Sequence, residues 1–145
     1  KYALAPYTMF IGSGALWGET ILFSMCILEE MQWKRTRYIT SADFFHGTLE
    51  LVEPGVPVFL FMGEDENRKL DERVRAFLTR GVTGDTDINV IDTAEFAIPG
   101  LDDEFRVIVS PWILTVLVTD RLARYYETVT KHNLKYRRYY HQFDY

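Results

Sequence analysis

Two adjacent glutamates are the residues of this sequence whose surroundings point most clearly to proton transfer. Glu29 and Glu30 stand inside the apolar segment ETILFSMCILEEMQWK, residues 19–34. A carboxylate in apolar surroundings must either find a partner or take a raised pKa. A raised pKa is what a general acid or base needs at neutral pH. Both glutamates are therefore candidate acid/base groups.

The segment that carries the two glutamates is predicted to be a helix. When residues 19–34 are placed at 100° intervals, apolar side chains occupy nearly the whole circumference, which predicts a helix buried on most sides. Glu30 and Glu29 then each fall between the directions of two apolar side chains. The alternative is that one of them reaches solvent at the helix end or pairs with Lys34 or Arg35, and this alternative is stronger for Glu29.

A histidine, His46, lies between two phenylalanines and a glycine in SADFFHG, directly after residues typical of a helix start. A lone histidine among aromatic residues is more often structural than catalytic. Neither His132 nor His141 lies near it in sequence at metal-ligand spacing. The single cysteine, Cys26, excludes an internal disulfide and a multi-cysteine zinc site. We expect no metal site, and spacing alone leaves the role of His46 open.

The turn formed by Gly12, Ser13 and Gly14 follows a strand-like run and precedes the predicted helix. Backbone N–H groups and a serine hydroxyl at a helix N-terminus can face an anionic ligand. The alternative is that the glycines only let the chain bend. No Walker motif or complete dinucleotide fingerprint follows the turn.

The elements that must position these residues alternate between strand and helix. The strand-like segments are YTMFIG (7–12), VPVFLFM (56–62) and TDINVID (86–92), and a helix-like segment ends near the stop signal Gly81. FRVIVS (105–110) is ambiguous, whereas Ser110 before Pro111 predicts the N-cap of a helix that reaches about Lys131. The alternation predicts an α/β fold with a mostly parallel sheet covered by helices on both faces, a three-layer α/β/α sandwich.

Composition excludes several classes of protein. At 145 residues, with 48% hydrophobic and 26% charged residues, the chain fits one globular domain. A net charge of -5 argues against binding to nucleic acid or to an anionic membrane. The longest apolar run near the C-terminus, 111–118, is too short to cross a bilayer, and no signal-peptide pattern opens the chain. These features predict a cytoplasmic protein.

Six ordered blocks resemble one family. CILEEMQW (26–33), SADFFHG (41–47) and VPVFLF (56–61) look like the second half of a sugar isomerase (SIS) domain protein of the fructosamine 6-phosphate deglycase type. LDERVRAFL (70–78), INVIDTAEF (88–96) and YRRYYHQFDY (136–145) are similar to further blocks of that family. The resemblance implies a flavodoxin-like, doubly wound SIS domain over residues 1–145, with a tail at about 132–145. It also implies the C-terminal half of a protein with two SIS domains.

The resemblance further implies an activity and a set of site residues. Glu30 matches the base that moves a proton between C1 and C2 of the sugar. His46 matches an acid/base group that also opens the sugar ring and, in relatives of the synthase type, reaches the active site of the neighbouring subunit. No cofactor is implied. The expected substrate-binding residues are Gly12, Ser13, Gly14, Ser41, Asp43, Arg138 and Gln142.

The sequence departs from the family pattern at four positions. Asp43 stands where glutamate is usual, Thr48 where proline is usual, Ala42 where glycine is usual and Gln142 where a lysine is associated with the sugar site. For the two arginines of the tail, at 137–138, a solvated basic edge packed through aromatic residues is slightly favoured over phosphate binding.

The expected partners are a sugar-phosphate substrate and either a first SIS domain or another copy of the chain, in a homodimer or a higher oligomer. Two alternatives to a deglycase stay open. One is a non-catalytic sugar-phosphate-binding or dimerisation module, and the other is an isomerase of the glucosamine 6-phosphate synthase type.

Overall fold

Four parallel strands form the central sheet of the protein. The computed structural model describes residues 1–81, 83–84 and 86–145. The strands are β1 (Tyr7–Gly12), β2 (Arg35–Ile39), β3 (Val58–Met62) and β4 (Ile88–Asp92). They lie in the order β2-β1-β3-β4, and each neighbouring pair is parallel. The predicted parallel sheet is confirmed.

Helices connect the strands and complete the chain. The bounds are α1 (Trp17–Ile21), which continues as a π-helical segment (Leu22–Met31), then α2 (Ser41–Phe44) and α3 (Arg68–Leu78). The C-terminal helix consists of α4 (Asp103–Leu114), a π-helical segment (Thr115–Leu122) and α5 (Ala123–Thr130). Single 3-10 turns lie at Tyr2–Leu4, Gly14–Leu16, Thr48–Leu51 and Thr93–Glu95.

The two faces of the sheet pack against different helices, because successive strand residues point to opposite faces. On one face Phe10 and Phe61 pack with buried residues of the π-helical segment after α1, such as Phe23, and of the C-terminal helix. On the other face Ile11 and Leu60 pack with buried residues of α2 and α3. Burial on both faces explains why β1 and β3 read as continuous apolar runs, and the three-layer α/β/α fold is confirmed.

The strand order reverses between β1 and β3. From β1 the chain crosses to β2 on one side, and later returns to β3 on the other side of β1. In open α/β sheets the crevice at the carboxyl ends of the strands beside such a switch point is the usual ligand site. Gly12 and Met62, the last residues of β1 and β3, therefore lie beside a candidate binding edge.

The helix predicted to begin at Ser110 begins earlier, so the predicted N-cap is wrong. Asp102 precedes the first turn of α4, and Asp103 within that turn complements the positive end of the helix dipole. Pro111 has no N–H to offer the carbonyl of Val107, but the hydroxyl of Ser110 donates to that carbonyl at 3.2 Å. A serine inside the helix thus offsets the bond that the proline removes.

Candidate active site

Glu30 lies at the C-terminal end of the π-helical segment and forms an ion pair with the C-terminal tail, residues 132–145. Its Oε1 is 2.9 Å from Nε of Arg137. The side chain of Glu30 is 30% exposed and that of Arg137 is 18% exposed, so the pair is largely shielded. The glutamate has therefore found a charged partner, and that partner is neither Lys34 nor Arg35.

The tail that carries Arg137 is fastened in two ways. Nη1 of Arg137 donates to the carbonyls of Leu134 and Tyr136 at 2.7 and 2.8 Å. Further back, the buried side chain of Gln32 donates to the carbonyl of His132 at 2.7 Å and accepts from the hydroxyl of Thr130 at 2.8 Å. These bonds hold the start of the tail against the end of the helix that carries Glu30.

A cavity of about 490 Å³ lies between this helix end and the tail. Glu30, Trp33 and Lys34 line it from the helix side, and Arg138 and Tyr140 are among the tail residues that line it. The guanidinium carbon of Arg138 lies 4.1 Å from the centre of the Trp33 ring, a cation–π contact. Burial lowers the pKa of the Lys34 ammonium. The cavity thus combines a carboxylate with cationic and aromatic side chains.

Glu29 points to a different partner. Its Oε1 accepts a hydrogen bond of 2.6 Å from the hydroxyl of Thr36, the second residue of β2. Neither of the basic partners considered from the sequence is used. Because Thr36 lies opposite Thr8 near the start of β1, this bond also places the glutamates near the amino edge of the sheet.

A second polar cluster lies at the carboxyl edge of the sheet. The backbone N–H of Ser41 donates to Oγ of Ser13 at 2.7 Å, and the hydroxyl of Ser41 donates to Oδ1 of Asp71 at 2.5 Å. Oδ2 of Asp71 accepts from the N–H of Gly63 at 3.3 Å. Burial raises the pKa of Asp71 to about 6, although both hydrogen bonds act in the opposite direction. The cluster joins the ends of β1, β2 and β3 through buried groups.

The turn after β1 is occupied by a carboxylate of the protein itself. Asp65 accepts hydrogen bonds from the N–H groups of Ala15 at 2.6 Å and Asn67 at 2.7 Å. A Cβ on Gly14, whose φ is +55°, would overlap the Asp65 carboxylate, and a Cβ on Gly12 would overlap the Thr20 hydroxyl. Both glycines therefore allow close approach, and the anion at this helix start is Asp65.

His46 is exposed at the turn that follows α2. Its backbone N–H donates to the carbonyl of Asp43 at 2.9 Å, and the side chain of Asp43 in turn accepts from the hydroxyl of Thr40 at 2.7 Å. A Cβ on Gly47 would meet no atom within 4 Å in this chain, so close packing does not require a glycine here. Gly47 is needed because its φ of +131° is rarely adopted by other residues.

The structure separates the predicted site residues into two groups. Gly12, Ser13 and Ser41 lie at the carboxyl edge, whereas Glu30 and Arg138 lie at the other end of the helix that returns from β1 to β2. A helical segment over residues 17–31 spans roughly 20 Å at 1.5 Å per residue. Within one chain the two groups therefore do not meet.

Gln142 is exposed in the tail, and its amide donates to the carbonyl of Tyr140 at 3.2 Å. Among the residues that the structure describes, no group of three or more His, Cys, Asp or Glu side chains is placed to hold a metal ion. Across the same residues, no helix is long and apolar enough to span a membrane.

Comparisons with known proteins find deglycases among the relatives of the chain. No family model matches it. Fructosamine deglycase FrlB of Bacillus subtilis is 33% identical over 136 residues, which make up 92% of this chain and 39% of that protein. Fructoselysine 6-phosphate deglycase of Escherichia coli is 35% identical over 116 residues, or 78% of this chain and 31% of that protein. The chain is a homologue of the fructosamine 6-phosphate deglycases.

The fold comparison agrees with this kinship. A crystal structure from Bacillus subtilis, described as a phosphosugar isomerase, superposes with a TM-score of 0.89 at 29% identity. The match covers 99% of this chain and 43% of that one. The resemblance to SIS-domain deglycases seen in the sequence is confirmed. The chain spans about two fifths or less of the length of these relatives.

Two residues of this deglycase homologue were missed as site components. Arg137, read as part of a solvated edge, pairs with Glu30. Asp71 was not singled out, yet it lies on the buried stripe of α3 with Val74 and Leu78. An acidic residue at helical spacing from two core positions was the signal that could have revealed it.

Proposed function

We propose that this chain is the SIS domain of a deglycase that converts fructosamine 6-phosphates to glucose 6-phosphate and a free amine, with Glu30 as the base. The observation that carries the proposal is the Glu30 carboxylate, held by Arg137 beside a cavity of about 490 Å³. Its curated relatives, which are deglycases, support the same reaction class.

The proposed reaction moves a proton from C1 to C2. Glu30 removes a proton from C1 of the open-chain ketoamine, the electron pair of that C–H bond forms the double bond between C1 and C2, and the carbonyl oxygen on C2 takes a proton from solvent, which gives the enaminol. Protonation at C2 converts the enaminol to a Schiff base at C1. Water then adds to C1 and displaces the amine, which leaves the aldehyde of glucose 6-phosphate.

The geometry of Glu30 suits this task. Nε of Arg137 lies 2.9 Å from Oε1 of Glu30, and both residues line the cavity. The ion pair fixes the carboxylate beside the space that a substrate can enter. Preorganisation of this kind lowers the barrier because the base needs no reorientation during the reaction.

The separation of the two groups of site residues leads to a proposal about partners. We propose that a first SIS domain or a second copy of the chain pairs with this one, so that its carboxyl edge faces Glu30. The exposure of His46 is compatible with a role in the site of a neighbouring unit. The C-terminal helix also carries an exposed apolar row at helical spacing: Phe105, Ile108, Trp112 and Val116.

The base assignment is tested with Glu30→Gln and the matched control Glu29→Gln in the full polypeptide that carries this sequence. Release of glucose 6-phosphate from a fructosamine 6-phosphate is measured together with substrate binding and thermal unfolding. We expect Glu30→Gln to lose at least about 100-fold in kcat while it still folds and binds, and Glu29→Gln to keep most turnover. If Glu30→Gln retains wild-type turnover, the assignment is wrong.

The same assay separates the alternative functions. Tight binding of the fructosamine 6-phosphate without product release, in the unmodified protein, would indicate a sugar-phosphate-binding module. Interconversion of fructose 6-phosphate and glucose 6-phosphate without deglycation would indicate an isomerase of the synthase type.

The proposal about partners is tested by mixing two inactive variants, Glu30→Gln and His46→Asn. If sites combine Glu30 of one copy with His46 of another, the mixture regains up to about a quarter of the wild-type activity, since a mixed dimer restores one of its two sites. Trp112→Glu should weaken association in sedimentation experiments, whereas Leu51→Glu, at another exposed apolar position, should not. Full association of the Trp112 variant would exclude the apolar row as the contact.

A further inference from the structure

His46 is carried by an element that is too short to hold its own orientation. It follows α2 (Ser41–Phe44), a helix of four residues, and its backbone N–H donates to the carbonyl of Asp43 at 2.9 Å. A single helical turn has little stability of its own, because helix formation needs a costly nucleus before further residues add to it. The position of the imidazole therefore depends on the contacts that anchor the two ends of α2.

The start of α2 is anchored to a buried carboxyl group of α3. The hydroxyl of Ser41 donates to Oδ1 of Asp71 at 2.5 Å, and Oδ2 of Asp71 accepts from the N–H of Gly63 at 3.3 Å. Ser41 and Asp71 are each 1% exposed. A hydrogen bond between buried groups is costly to lose, because the group that remains stays unsatisfied. Ser41 is thus fixed against α3 and, through its N–H at 2.7 Å, against Oγ of Ser13.

The end of α2 packs on the same helix. The ring of Phe44, which is fully buried, lies edge-to-face with the ring of Phe77 on α3 at a centroid distance of 5.7 Å. The ring of Phe45 contacts Phe77 at 5.8 Å, and the guanidinium carbon of Arg73 lies 4.1 Å from the centre of the Phe45 ring. Helix α3 therefore holds both ends of α2, with a polar anchor at its start and aromatic anchors just before His46.

The polar anchor is the more exacting of the two. Aromatic pairs are favourable over ring separations of about 4.5–7 Å, whereas a hydrogen bond weakens steeply when donor and acceptor leave the line of the bond. The bond between Ser41 and Asp71 therefore fixes the direction of α2 more narrowly than the rings do. Because α2 is a single turn, a shift at Ser41 is passed on to His46.

We propose that Asp71 is a positioning residue for the acid/base group His46 and acts through the hydroxyl of Ser41. Asp71 itself does not touch the substrate. Its contribution is to the rate, because a misplacement of a reacting group by about 1 Å costs on the order of 100-fold in turnover. The inference rests on the proposed function, in which His46 serves the site of a neighbouring unit, and it gives a role to the buried acidic residue of α3.

The test is a double-mutant cycle between Asp71→Asn and His46→Asn in the full polypeptide that carries this sequence. Release of glucose 6-phosphate from a fructosamine 6-phosphate is followed, with single-turnover assays at high enzyme concentration for residual activity. Asp71→Asn keeps the size of the side chain but leaves one oxygen for two donors. Alone it should lower kcat by roughly 10- to 100-fold and change KM by less than about threefold. In the His46→Asn background the same change should cost less than about twofold, because the imidazole that it positions is gone.

The matched control is Asp92→Asn, which changes another buried aspartate at the carboxyl edge, bonded to Arg68 and not to α2. This control should lose stability but keep the wild-type kcat. Thermal unfolding identifies the variants that fold. Should Asp71→Asn not fold, Ser41→Ala breaks the same bond from the other side and should give the same loss of kcat and the same dependence on His46.

The outcomes separate this inference from the proposed function. An unchanged kcat in Asp71→Asn would overturn the inference and leave the proposed function intact. An equal loss in the presence and absence of the imidazole would also overturn it, since Asp71 would then serve only the fold. Wild-type turnover in His46→Asn would refute the role proposed for His46, and this inference with it.

Discussion

The buried carboxyl of Asp71 should make the fold more stable as the pH falls from neutral toward 5. The side chain is 1% exposed, and its pKa is raised from 3.8 to about 6, chiefly by burial. Because the folded state binds the proton more tightly than the unfolded state, the stabilising contribution is complete below pH 3.8 and is lost as the pH rises through 6. A shift of about two units corresponds to about 3 kcal/mol in total.

Between pH 7.5 and pH 5.0 a part of this contribution should be measurable. The two pKa values predict a gain of roughly 1 kcal/mol in the free energy of unfolding over that interval. Other carboxyl groups also respond to pH, so the measurement compares the wild type with Asp71→Asn by urea unfolding at both values. The variant cannot titrate at position 71, and its stability should gain roughly 1 kcal/mol less than the wild type on acidification.

Two further variants sharpen this measurement. Ser41→Ala removes a hydrogen bond that favours the charged form of Asp71, so the pKa should rise further and the difference between the two pH values should grow. Asp144→Asn changes an exposed carboxyl group of the tail and should behave as the wild type. If the wild type and Asp71→Asn show the same pH dependence, or if the wild type gains less on acidification, the burial argument is refuted.

Three other predictions concern an ion pair, the hydrogen bonds that anchor the tail and a glycine in the turn after β1. Asp92→Asn breaks the two hydrogen bonds of 2.9 and 2.6 Å from Arg68, so it should lower the free energy of unfolding by about 1–3 kcal/mol in urea titrations at pH 7. This loss should shrink at low pH, because the wild-type carboxylate, whose pKa is lowered, is then protonated as well. Gln32→Leu should speed tryptic cleavage within the tail several-fold relative to the wild type, because both anchoring bonds are lost. Gly14→Ala should destabilise by at least about 1 kcal/mol in thermal unfolding, because its Cβ overlaps Asp65 and its φ is positive; unchanged stability would contradict the described turn.

Three of the four strands could be predicted from the sequence, whereas one of the two edge strands, β2, could not. The apolar run at 7–12 corresponds to β1, and the runs at 56–62 and 86–92 contain β3 and β4. The predicted set lacked β2, because RTRYI alternates basic and uncharged residues and holds no apolar run. Such a strand lies at the edge of the sheet, where charged side chains face solvent and hinder pairing with another chain.

The surroundings of Glu30 show why a site is harder to predict than a fold. The projection at 100° per residue assumed a regular α-helix, but residues 22–31 form π-helical turns, which bond to the fifth residue and shift the angular positions. The partner, Arg137, is more than a hundred residues away in the chain, and no local pattern links the two. The sequence did identify Glu30 as a carboxylate in need of a partner, since that follows from local composition.

The geometry of the crossover connection decides how such a domain can be used. Between two parallel strands the connecting helix must run back along the sheet, so a residue at the end of that helix, such as Glu30, lies at the amino edge. Ligands of open α/β sheets bind at the carboxyl edge, where Ser13 and Ser41 lie. The proposed site needs both kinds of residue, so we expect it to combine two units, each of which contributes a base to one site and loops to the other.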